Sequence, residues 1–388
     1  MTKGKTQGAR GNCVHTPKED GFFFPAEYGR HLATVMIWPE RGGSWIYGAR
    51  HARPVFAGII RKISAAEHVF LGVSESGLSS AKELLEEEIG AGRVTLMDIP
   101  TDDCWARDMA PTFLTDGKEV RGVDWAFNAW GGSYDGLYAH WENDDAFASR
   151  FCERAGFRCY DARPFVLEGG SIHTDGAGTL LATEECLLSP GRNPSMTKEE
   201  IARVLCDFTG ADRVIWLPYG VCGDETDGHV DNICAFTGTG EAVLAWTDEP
   251  GEQHRRCLAD LAVLAEAGIR VKKIPFPAEP VAFTRYETDG FTYEPGEAVR
   301  TVGEVLAASY VNFYVCNAGV LVPQFGDRND AGALRVLAEA FPGREIIPVY
   351  ARDLIVGGGN IHCLTQQIPD PSGAGGMGEK RREALFLK

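Results

Sequence analysis

Short apolar, β-rich runs alternate with segments of helical periodicity along most of the 388-residue chain. In residues 54–66, for example, apolar side chains recur at the spacing of one helical face. Strands that alternate with helices in this way indicate an α/β fold. The predicted strands are 34–38, 68–73, 94–97, 214–217, 230–236, 242–246, 310–315, 320–322 and 345–349, and the predicted helices are 54–66, 79–89, 197–208, 252–267 and 330–341.

No Pro- or Ser-rich linker interrupts this alternation. We therefore expect one catalytic domain over residues 21–370, with flexible tails at residues 1–20 and 371–388. Within the domain, Val-Leu-Glu-Gly-Gly-Ser-Ile-His at 166–173 echoes Ile-Val-Gly-Gly-Gly-Asn-Ile-His at 355–362. The echo indicates repeated supersecondary units around an axis, although Gly-Gly turns after strands are common enough to leave coincidence open.

The net charge of −17 limits the partners that the chain can take. It argues against nucleic acid and anionic membrane surfaces, and it favours a cationic ligand. The N-terminal residues contain no secretory apolar run, and no stretch has the roughly eighteen apolar residues of a membrane span. We therefore expect a cytoplasmic protein. Its 11 cysteines, an odd number without a disulfide spacing, fit a reducing compartment and leave room for a chemically active thiol.

Four segments place several polar groups between apolar residues, and they are the candidates for a site. They are 101–108, 167–173, 224–232 and 357–363. The last is a glycine triplet that leads through a short apolar segment to Cys363. Glycines allow sharp turns and the close approach of a ligand, and a thiolate is a strong nucleophile at neutral pH. A catalytic thiol and a buried structural thiol are about equally compatible with this position.

His229 and Asp231 lie two residues apart and would point to the same face of the predicted strand 230–236. A histidine beside a carboxylate is a common acid–base unit, because the carboxylate holds the ring and stabilises its charged form. The competing hypotheses are a metal site and a solvated acidic turn. No C-x-x-C, H-E-x-x-H or EF-hand pattern is present, which disfavours the metal site. The strand that follows disfavours the solvated turn.

Trp105, Arg107 and Asp108 combine an aromatic face with ionic groups. A carboxylate and an aromatic ring suit a planar cation, which needs hydrogen bonds in its plane and a cation–π contact above it. A core tryptophan and a structural ion pair are the alternatives. Glu168 precedes a Gly-Gly turn, from which its carboxylate could reach inward or face water. Together these residues indicate a thiol hydrolase with a carboxylate-rich pocket for a cationic substrate that they do not identify.

The chain resembles the agmatine deiminase family of the guanidine-modifying superfamily over nearly its whole length. Only the two tails and parts of 248–300 fall outside the shared motifs. The resemblance implies an α/β fold of the pentein type, a propeller of five ββαβ-type units around a pseudo-fivefold axis, with the active site in the central channel. The motifs that carry it are 24–28, 37–41, 105–108, 122–132, 167–173, 183–188, 225–232, 310–313 and Gly-Gly-Gly-Asn-Ile-His-Cys-Leu-Thr-Gln-Gln at 357–367.

By motif match, Cys363 would be the nucleophile, His229 the general acid and base, and Glu168 the carboxylate that orients the histidine. The thiolate would attack the guanidinium carbon while His229 protonates the leaving nitrogen, which departs as ammonia. Water would then hydrolyse the covalent thiouronium intermediate with His229 as the base. The implied reaction is hydrolysis of agmatine to N-carbamoylputrescine, at a C–N bond of a linear amidine.

The same motifs imply how the substrate would be held. Asp108 and Asp231 would clamp the guanidinium nitrogens, and Trp105 with Glu225 would line the channel toward the far amine. The resemblance implies no metal and no organic cofactor. It implies agmatine, a small cation, as the ligand, and a homo-oligomer, dimer or tetramer, by analogy with the family.

The sequence departs from the family pattern outside the proposed catalytic positions. Gly42-Gly-Ser44 replaces the usual Asp-Asn before Trp45, and the loop departures could alter the channel entrance. The other departures are Tyr28, Cys104 and residues 221–223.

Three alternatives to an agmatine deiminase remain. A deiminase of free or peptidyl arginine would share the catalytic residues, although a secreted peptidyl-arginine enzyme should carry a signal peptide. A catalytically silent guanidinium- or polyamine-binding protein would not need Cys363, His229 and Glu168 together. A thiol protease would have no use for the carboxylates.

Overall fold

The structure, a computed structural model, describes residues 15–372. Its strands are β1 (His31–Ile37), β2 (His68–Val73), β3 (Val94–Asp98), β4 (Thr112–Thr115), β5 (Val120–Ala126), β6 (Arg158–Val166), β7 (Ile172–Thr174), β8 (Thr179–Thr183), β9 (Arg213–Leu217), β10 (Cys234–Gly238), β11 (Glu241–Trp246), β12 (Arg270–Pro275), β13 (Tyr314–Cys316), β14 (Gly319–Gln324), β15 (Ile346–Tyr350) and β16 (Gln366–Pro369).

Helices and single helical turns connect these strands. They are α1 (Ala52–Ser64), α2 (Leu78–Leu84), α3 (Glu86–Gly90), α4 (Ala106–Met109), α5 (Gly132–Asp135), α6 (Glu142–Asp145), α7 (Phe147–Ala155), α8 (Glu184–Leu187), α9 (Lys198–Thr209), α10 (Val230–Ile233), α11 (Glu252–Glu266), α12 (Arg285–Thr288), α13 (Asp330–Ala340) and α14 (Arg352–Ile355), with 3₁₀ turns at Ile46–Ala49 and Gly169–Ser171. Between residues 15 and 372, every helix is too short or too polar to cross a membrane.

The strands form five small sheets that share one connection pattern. In each, an antiparallel pair is followed by a helical crossover to a parallel third strand. The pattern covers β4-β5-β6, β7-β8-β9, β10-β11-β12 and β13-β14-β15. A parallel pair requires a crossover of this length, and a helix supplies it.

The first sheet takes its antiparallel partner from the far end of the chain. β16 pairs with β1, with Gln366 opposite Val35, and β1 continues in parallel to β2 and then β3. The sheet therefore repeats the ββαβ pattern and joins the two ends of the chain. Five ββαβ-type units confirm the predicted α/β pentein fold.

The central strands of these sheets are buried on both faces. All residues of β8 and β14 are buried, and so are all but the first residue of β11. Continuous apolar runs rather than alternating patterns are typical of such strands.

Most of the predicted elements are present within a few residues of their expected bounds. The helix predicted from Thr197 is confirmed together with its capping box, in which the Thr197 hydroxyl accepts from the Glu200 amide. The helix predicted at 79–89 is interrupted at Leu85, where α2 ends and α3 begins.

Two predicted strands are wrong over their first residues. Residues 230–233 form the helical turn α10, and only from Cys234 does the chain run as a strand. The side chain of Asn232 fixes this turn, since it donates to Asp224 and accepts from Asn312. Residues 310–313 likewise precede β13, which begins at Tyr314. Polar contacts between distant segments override the local strand preference in both places.

The predicted tails lie mostly outside the described residues. Residues 1–14 and 373–388 are not described. Of the predicted N-terminal tail, residues 17–20 belong to a turn, in which the Lys18 amide donates to the carbonyl of Asp207.

Candidate active site

The candidate site is built from the segments that lead into the first strand of each ββαβ unit. Asp108 lies in α4 just before β4, and Glu168 precedes the 3₁₀ turn before β7. Asp231 lies in α10 just before β10. Asn312 precedes β13, and Cys363 precedes β16. One repeated position in the fold therefore directs polar side chains from all five units to a common centre.

Cys363 lies at the base of this centre and is 8% exposed. The side-chain amide of Asn312 donates to its sulfur over 3.2 Å, and the sulfur lies 3.7 Å from Oδ2 of Asp231. A Cβ atom at Gly359 would lie 2.6 Å from the Trp105 ring and 3.1 Å from the sulfur. The glycine is therefore required for the close approach of the backbone to both side chains.

His229 is buried between two carboxylates. Its Nε2 lies 3.9 Å from Glu168 and its Nδ1 lies 4.0 Å from Asp108. Burial alone would lower the pKa of His229, but the charge of Asp108 and contacts with Cys186 and Glu168 raise it well above the ordinary value. The imidazole is therefore charged at neutral pH and can act as a proton donor.

Glu168 is fully buried, and its Oε1 lies 2.8 Å from Nε of Arg192. Burial alone would raise the pKa of this carboxyl, but the charges of Arg192 and His229 lower it to about 2. Glu168 is therefore a fixed anion beside the histidine, which favours the charged imidazolium.

The side chains of Asp108, His229 and Asp231 converge beside Gly170. A Cβ atom at Gly170 would lie 2.7 Å from Nδ1 of His229, 2.9 Å from Oδ1 of Asp108 and 3.0 Å from Oδ2 of Asp231. Asp108 accepts hydrogen bonds from the Gly170 amide at 2.9 Å and from the Trp130 indole at 2.8 Å. Two carboxylates this close to a thiol form a site for a compact cation.

The charge state of the thiol follows from the same neighbours. Burial raises the pKa of Cys363 well above its ordinary value, and the carboxylates of Asp231 and Asp108 raise it further. Without a ligand the sulfur is therefore protonated at neutral pH. A cation bound between the two carboxylates would remove this obstacle to ionisation.

A cavity opens above Cys363. Trp105 and Glu225 line it, together with His229 and Asp108. Trp105 stacks on Trp45 with ring centroids 5.3 Å apart, and its indole donates to Asp103 at 3.0 Å. The structure thus brings together the seven residues predicted from the sequence. Five of them line the cavity, and Glu168 and Asp231 lie directly behind its wall.

Other residues of the site were missed by sequence reasoning. Asn312 falls in the motif 310–313, which gave no indication of its contact with the thiol. Arg192 is the partner of Glu168. Arg107 pairs with Glu27, not with the adjacent Asp108. Each of these contacts joins segments far apart in sequence, where local patterns carry no signal.

Within residues 15–372, two buried groups of side chains have metal-ligating atoms within 4.8 Å of one another: Glu27 with His173 and His362, and Glu168 with Cys186 and His229. In both groups an arginine already pairs with the carboxylate. A guanidinium beside the carboxylate opposes the binding of a further cation, so these groups are better suited to ion pairs than to a metal.

The comparisons with known proteins agree with this geometry. The model of the Porphyromonas-type peptidyl-arginine deiminase family matches residues 23–369. A Selenomonas ruminantium protein is 51% identical over 91% of this chain and 97% of its own length. Agmatine deiminase of Pseudomonas aeruginosa (strain UCBPP-PA14) is 44% identical over 93% of this chain and 99% of its own length.

A solved structure gives the same result. Agmatine deiminase of Enterococcus faecalis superposes with a TM-score of 0.88 at 37% identity, covering 94% of this chain and all of that one. The resemblance inferred from the sequence motifs is thereby confirmed. The chain belongs to the Porphyromonas-type peptidyl-arginine deiminase family.

Proposed function

We propose that this protein is an agmatine deiminase, which hydrolyses agmatine to N-carbamoylputrescine and ammonia. The observation that carries the proposal is the convergence of a thiol, a charged histidine and two carboxylates around the base of one cavity. Cys363, His229 and Asp108 line the cavity, and Asp231 lies directly behind its wall, with Oδ2 3.7 Å from the sulfur of Cys363. Nucleophile, proton donor and clamp for a planar cation are the parts that deimination requires.

The reaction begins when the guanidinium enters between Asp108 and Asp231. Its positive charge lowers the pKa of the Cys363 thiol, which loses its proton to solvent, and the thiolate attacks the guanidinium carbon to form a C–S bond. His229 donates a proton to one terminal nitrogen, the C–N bond breaks, and ammonia leaves. Glu168 keeps the imidazolium oriented during this transfer.

The second half of the reaction restores the enzyme. His229, now neutral, accepts a proton from water, and the resulting hydroxide attacks the thiouronium carbon. The C–S bond breaks, the sulfur takes up the proton of the new hydroxyl group and becomes a thiol again, and the product is left as a neutral urea. Agmatine and water are thus converted to N-carbamoylputrescine and ammonia, and no redox step or cofactor is needed.

The charges of the cavity favour a substrate without a carboxylate. Arg41 and Arg300 line the cavity, and each is paired, Arg41 with Glu297 and Arg300 with Glu225. Both cations are therefore compensated and less able to bind the α-carboxylate of free arginine. Trp105 and Glu225 lie on the wall where the aliphatic chain and far ammonium of agmatine would extend.

The family name and the shared chemistry leave deimination of free or peptidyl arginine as the alternative. The second alternative is a catalytically silent protein that binds a guanidinium or a polyamine. The test measures ammonia release from purified protein with agmatine, free arginine or a peptidyl-arginine in parallel. We expect release from agmatine, none with Cys363→Ser, and nearly unchanged release with Cys257→Ser, a buried cysteine of α11 outside the cavity.

The other outcomes are equally informative. Faster release from either arginine substrate would keep the mechanism and overturn the substrate assignment. Binding of agmatine without ammonia release would identify a binding protein. Full activity of Cys363→Ser would show that Cys363 is not the nucleophile.

We further propose a single catalytic domain over residues 21–370, a cytoplasmic location and a homo-oligomer, dimer or tetramer. The continuous ring of five units supports the single domain. The ten cysteines within the described residues are all free, as expected for a reducing compartment. Family analogy is the support for the oligomer, which light scattering would test.

A further inference from the structure

His362 directly precedes the proposed nucleophile and is 3% exposed. Both of its ring nitrogens contact carboxylates, Nδ1 with Asp231 at 2.8 Å and Nε2 with Glu27 at 2.8 Å. An ionised carboxylate only accepts hydrogen bonds, so both nitrogens must donate. The geometry therefore requires an imidazolium between two buried anions.

Glu27 is itself held in place. One of its oxygens accepts from Nη2 of Arg107 at 3.0 Å as well as from His362, and the other accepts from the Val315 amide at 2.9 Å. Burial alone would raise the pKa of Glu27, but the charges of His362 and Arg107 hold it well below the ordinary range. The carboxylate is thus a fixed anion at neutral pH.

The outer end of this chain of ion pairs is Asp231. Burial would raise its pKa, but the hydrogen bond and charge of His362 lower it. His362 engages Oδ2 of Asp231, while Oδ1 is buried without a hydrogen-bond partner among the described residues. One oxygen is thus fixed by the protein, and the other is left for an N–H donor of the substrate.

The sequence echo provides an internal comparison. His173 occupies the position of His362 in the matching segment, and the two rings stack with centroids 6.1 Å apart. His173 accepts from the Phe236 amide through Nδ1, and burial lowers its pKa to about 4. Two histidines of the same repeat position therefore differ in charge, and the charged one contacts Asp231.

We propose that His362 is a positioning residue for deimination, which holds the carboxylate of Asp231 in place as the last link of the chain Arg107–Glu27–His362–Asp231. The inference rests on the proposed function, because the group that it positions is the proposed guanidinium clamp. His362 does not touch the substrate, since Asp231 stands between them.

The test compares three substitutions of His362 in the ammonia-release assay with agmatine. The amide nitrogen of Asn can replace Nδ1 and still donate to Asp231, whereas the longer Gln matches Nε2 and Ala matches neither. We expect His362→Asn to retain kcat/KM within about tenfold of wild type, and His362→Gln and His362→Ala to lose about 100-fold, because a misplaced group costs this much. The control His173→Asn, a buried histidine of the same stack, should lose less than about tenfold.

A structural role alone would give a different pattern. Equal losses for the three substitutions, in proportion to their thermal destabilisation, would overturn the proposal. The second measurement is the crystal structure of His362→Gln, in which we expect the Asp231 carboxylate to have rotated; an unmoved carboxylate would also overturn it. If wild type releases no ammonia from agmatine, the proposed function fails, and the orientation of Asp231 in this variant still decides the role of His362.

Discussion

The pKa of Asp108 is raised by some of its neighbours and lowered by others, and the result lies close to neutral pH. Burial is the main cause that raises the pKa of Asp108 to about 6, and the negative charges of Asp231 and Glu168 raise it as well. The positive charge of His229 acts in the opposite direction. The indole of Trp130 donates to Oδ2 and stabilises the ionised form. Only the ionised carboxylate attracts a guanidinium, so kcat/KM for agmatine should fall as the pH decreases below about 6.

Trp130→Phe tests this assignment. The substitution removes the hydrogen bond that favours the ionised carboxylate, so the pKa of Asp108 should rise and the acid limb should move to higher pH by about one unit. The measurement is the pH profile of kcat/KM. Trp216→Phe, a substitution on β9 outside the cavity, should leave the limb in place. If the acid limb of the kcat/KM profile stays at the wild-type pH in Trp130→Phe, the group that titrates there is not Asp108.

At the residue scale, the sequence was sufficient to locate the site but not to describe its contacts. Cys363 and His229 are brought together as expected, while their chemical roles stay predictions. The expected reason for the proximity of His229 and Asp231 is wrong, because both precede β10 at a helical turn and do not lie on a strand. Asn312 and His362 act through partners far along the chain, and no local pattern reports such pairs.

At the scale of elements, the segment between α12 and β13 forms one wall of the cavity. Glu297 and Arg300 belong to it, and they pair with Arg41 and Glu225 across the opening. The Gly42-Gly-Ser44 loop packs against this wall. A Cβ atom at Gly43 would lie 2.5 Å from the Glu297 carboxylate, so glycine makes room for the wall.

Gly43→Ala should therefore displace Glu297 and weaken its pairing with Arg41. We expect KM for agmatine to rise about fivefold with little change in kcat, which corresponds to about 1 kcal/mol for a lost ion pair. Steady-state kinetics measure both constants. Gly58→Ala is the matched control, because a Cβ atom there meets nothing within 4 Å. An unchanged KM in Gly43→Ala would show that the wall does not contribute to substrate binding.

The elements differ in how well the sequence predicts them. The helix α9 begins with a capping box and carries an apolar face, so both its start and its type were predictable. The strands β4 to β8 were not predicted: β4 and β7 have only 4 and 3 residues, and β6 carries polar residues at exposed positions. Pairing with neighbours stabilises such strands more than their own composition does.

For the whole molecule, closure of the first sheet by β16 is the contact that joins the two ends of the chain. Ile368 is fully buried at this closure, opposite Ala33. Ile368→Ala should lower the free energy of unfolding by about 3 kcal/mol, because it removes buried apolar surface and leaves a cavity. Urea denaturation measures the change.

Leu258→Ala is the control for this substitution. Leu258 is 48% exposed on α11, so its truncation should cost less than about 0.5 kcal/mol. A midpoint for Ile368→Ala equal to that of wild type would mean that β16 contributes little to the stability of the ring.

The alternation of strands and helices was sufficient to predict an α/β fold, and the echo at 166–173 and 355–362 indicated a repeat. The number of units came from the family resemblance. Closure by β16 could not be read from the sequence, because the register of two strands at opposite ends of a chain depends on tertiary packing.

Because the closing strand is the last of the sixteen strands that the structure describes, the closure depends on a segment that is synthesised after the other units. The ribosome releases Glu27 early, then Asp108 and Asp231, and Cys363 and β16 emerge after the other units. A nascent chain that stops before residue 363 can contain every carboxylate of the cavity and still lack the sulfur. Such an incomplete copy lacks the proposed nucleophile and cannot form the covalent intermediate.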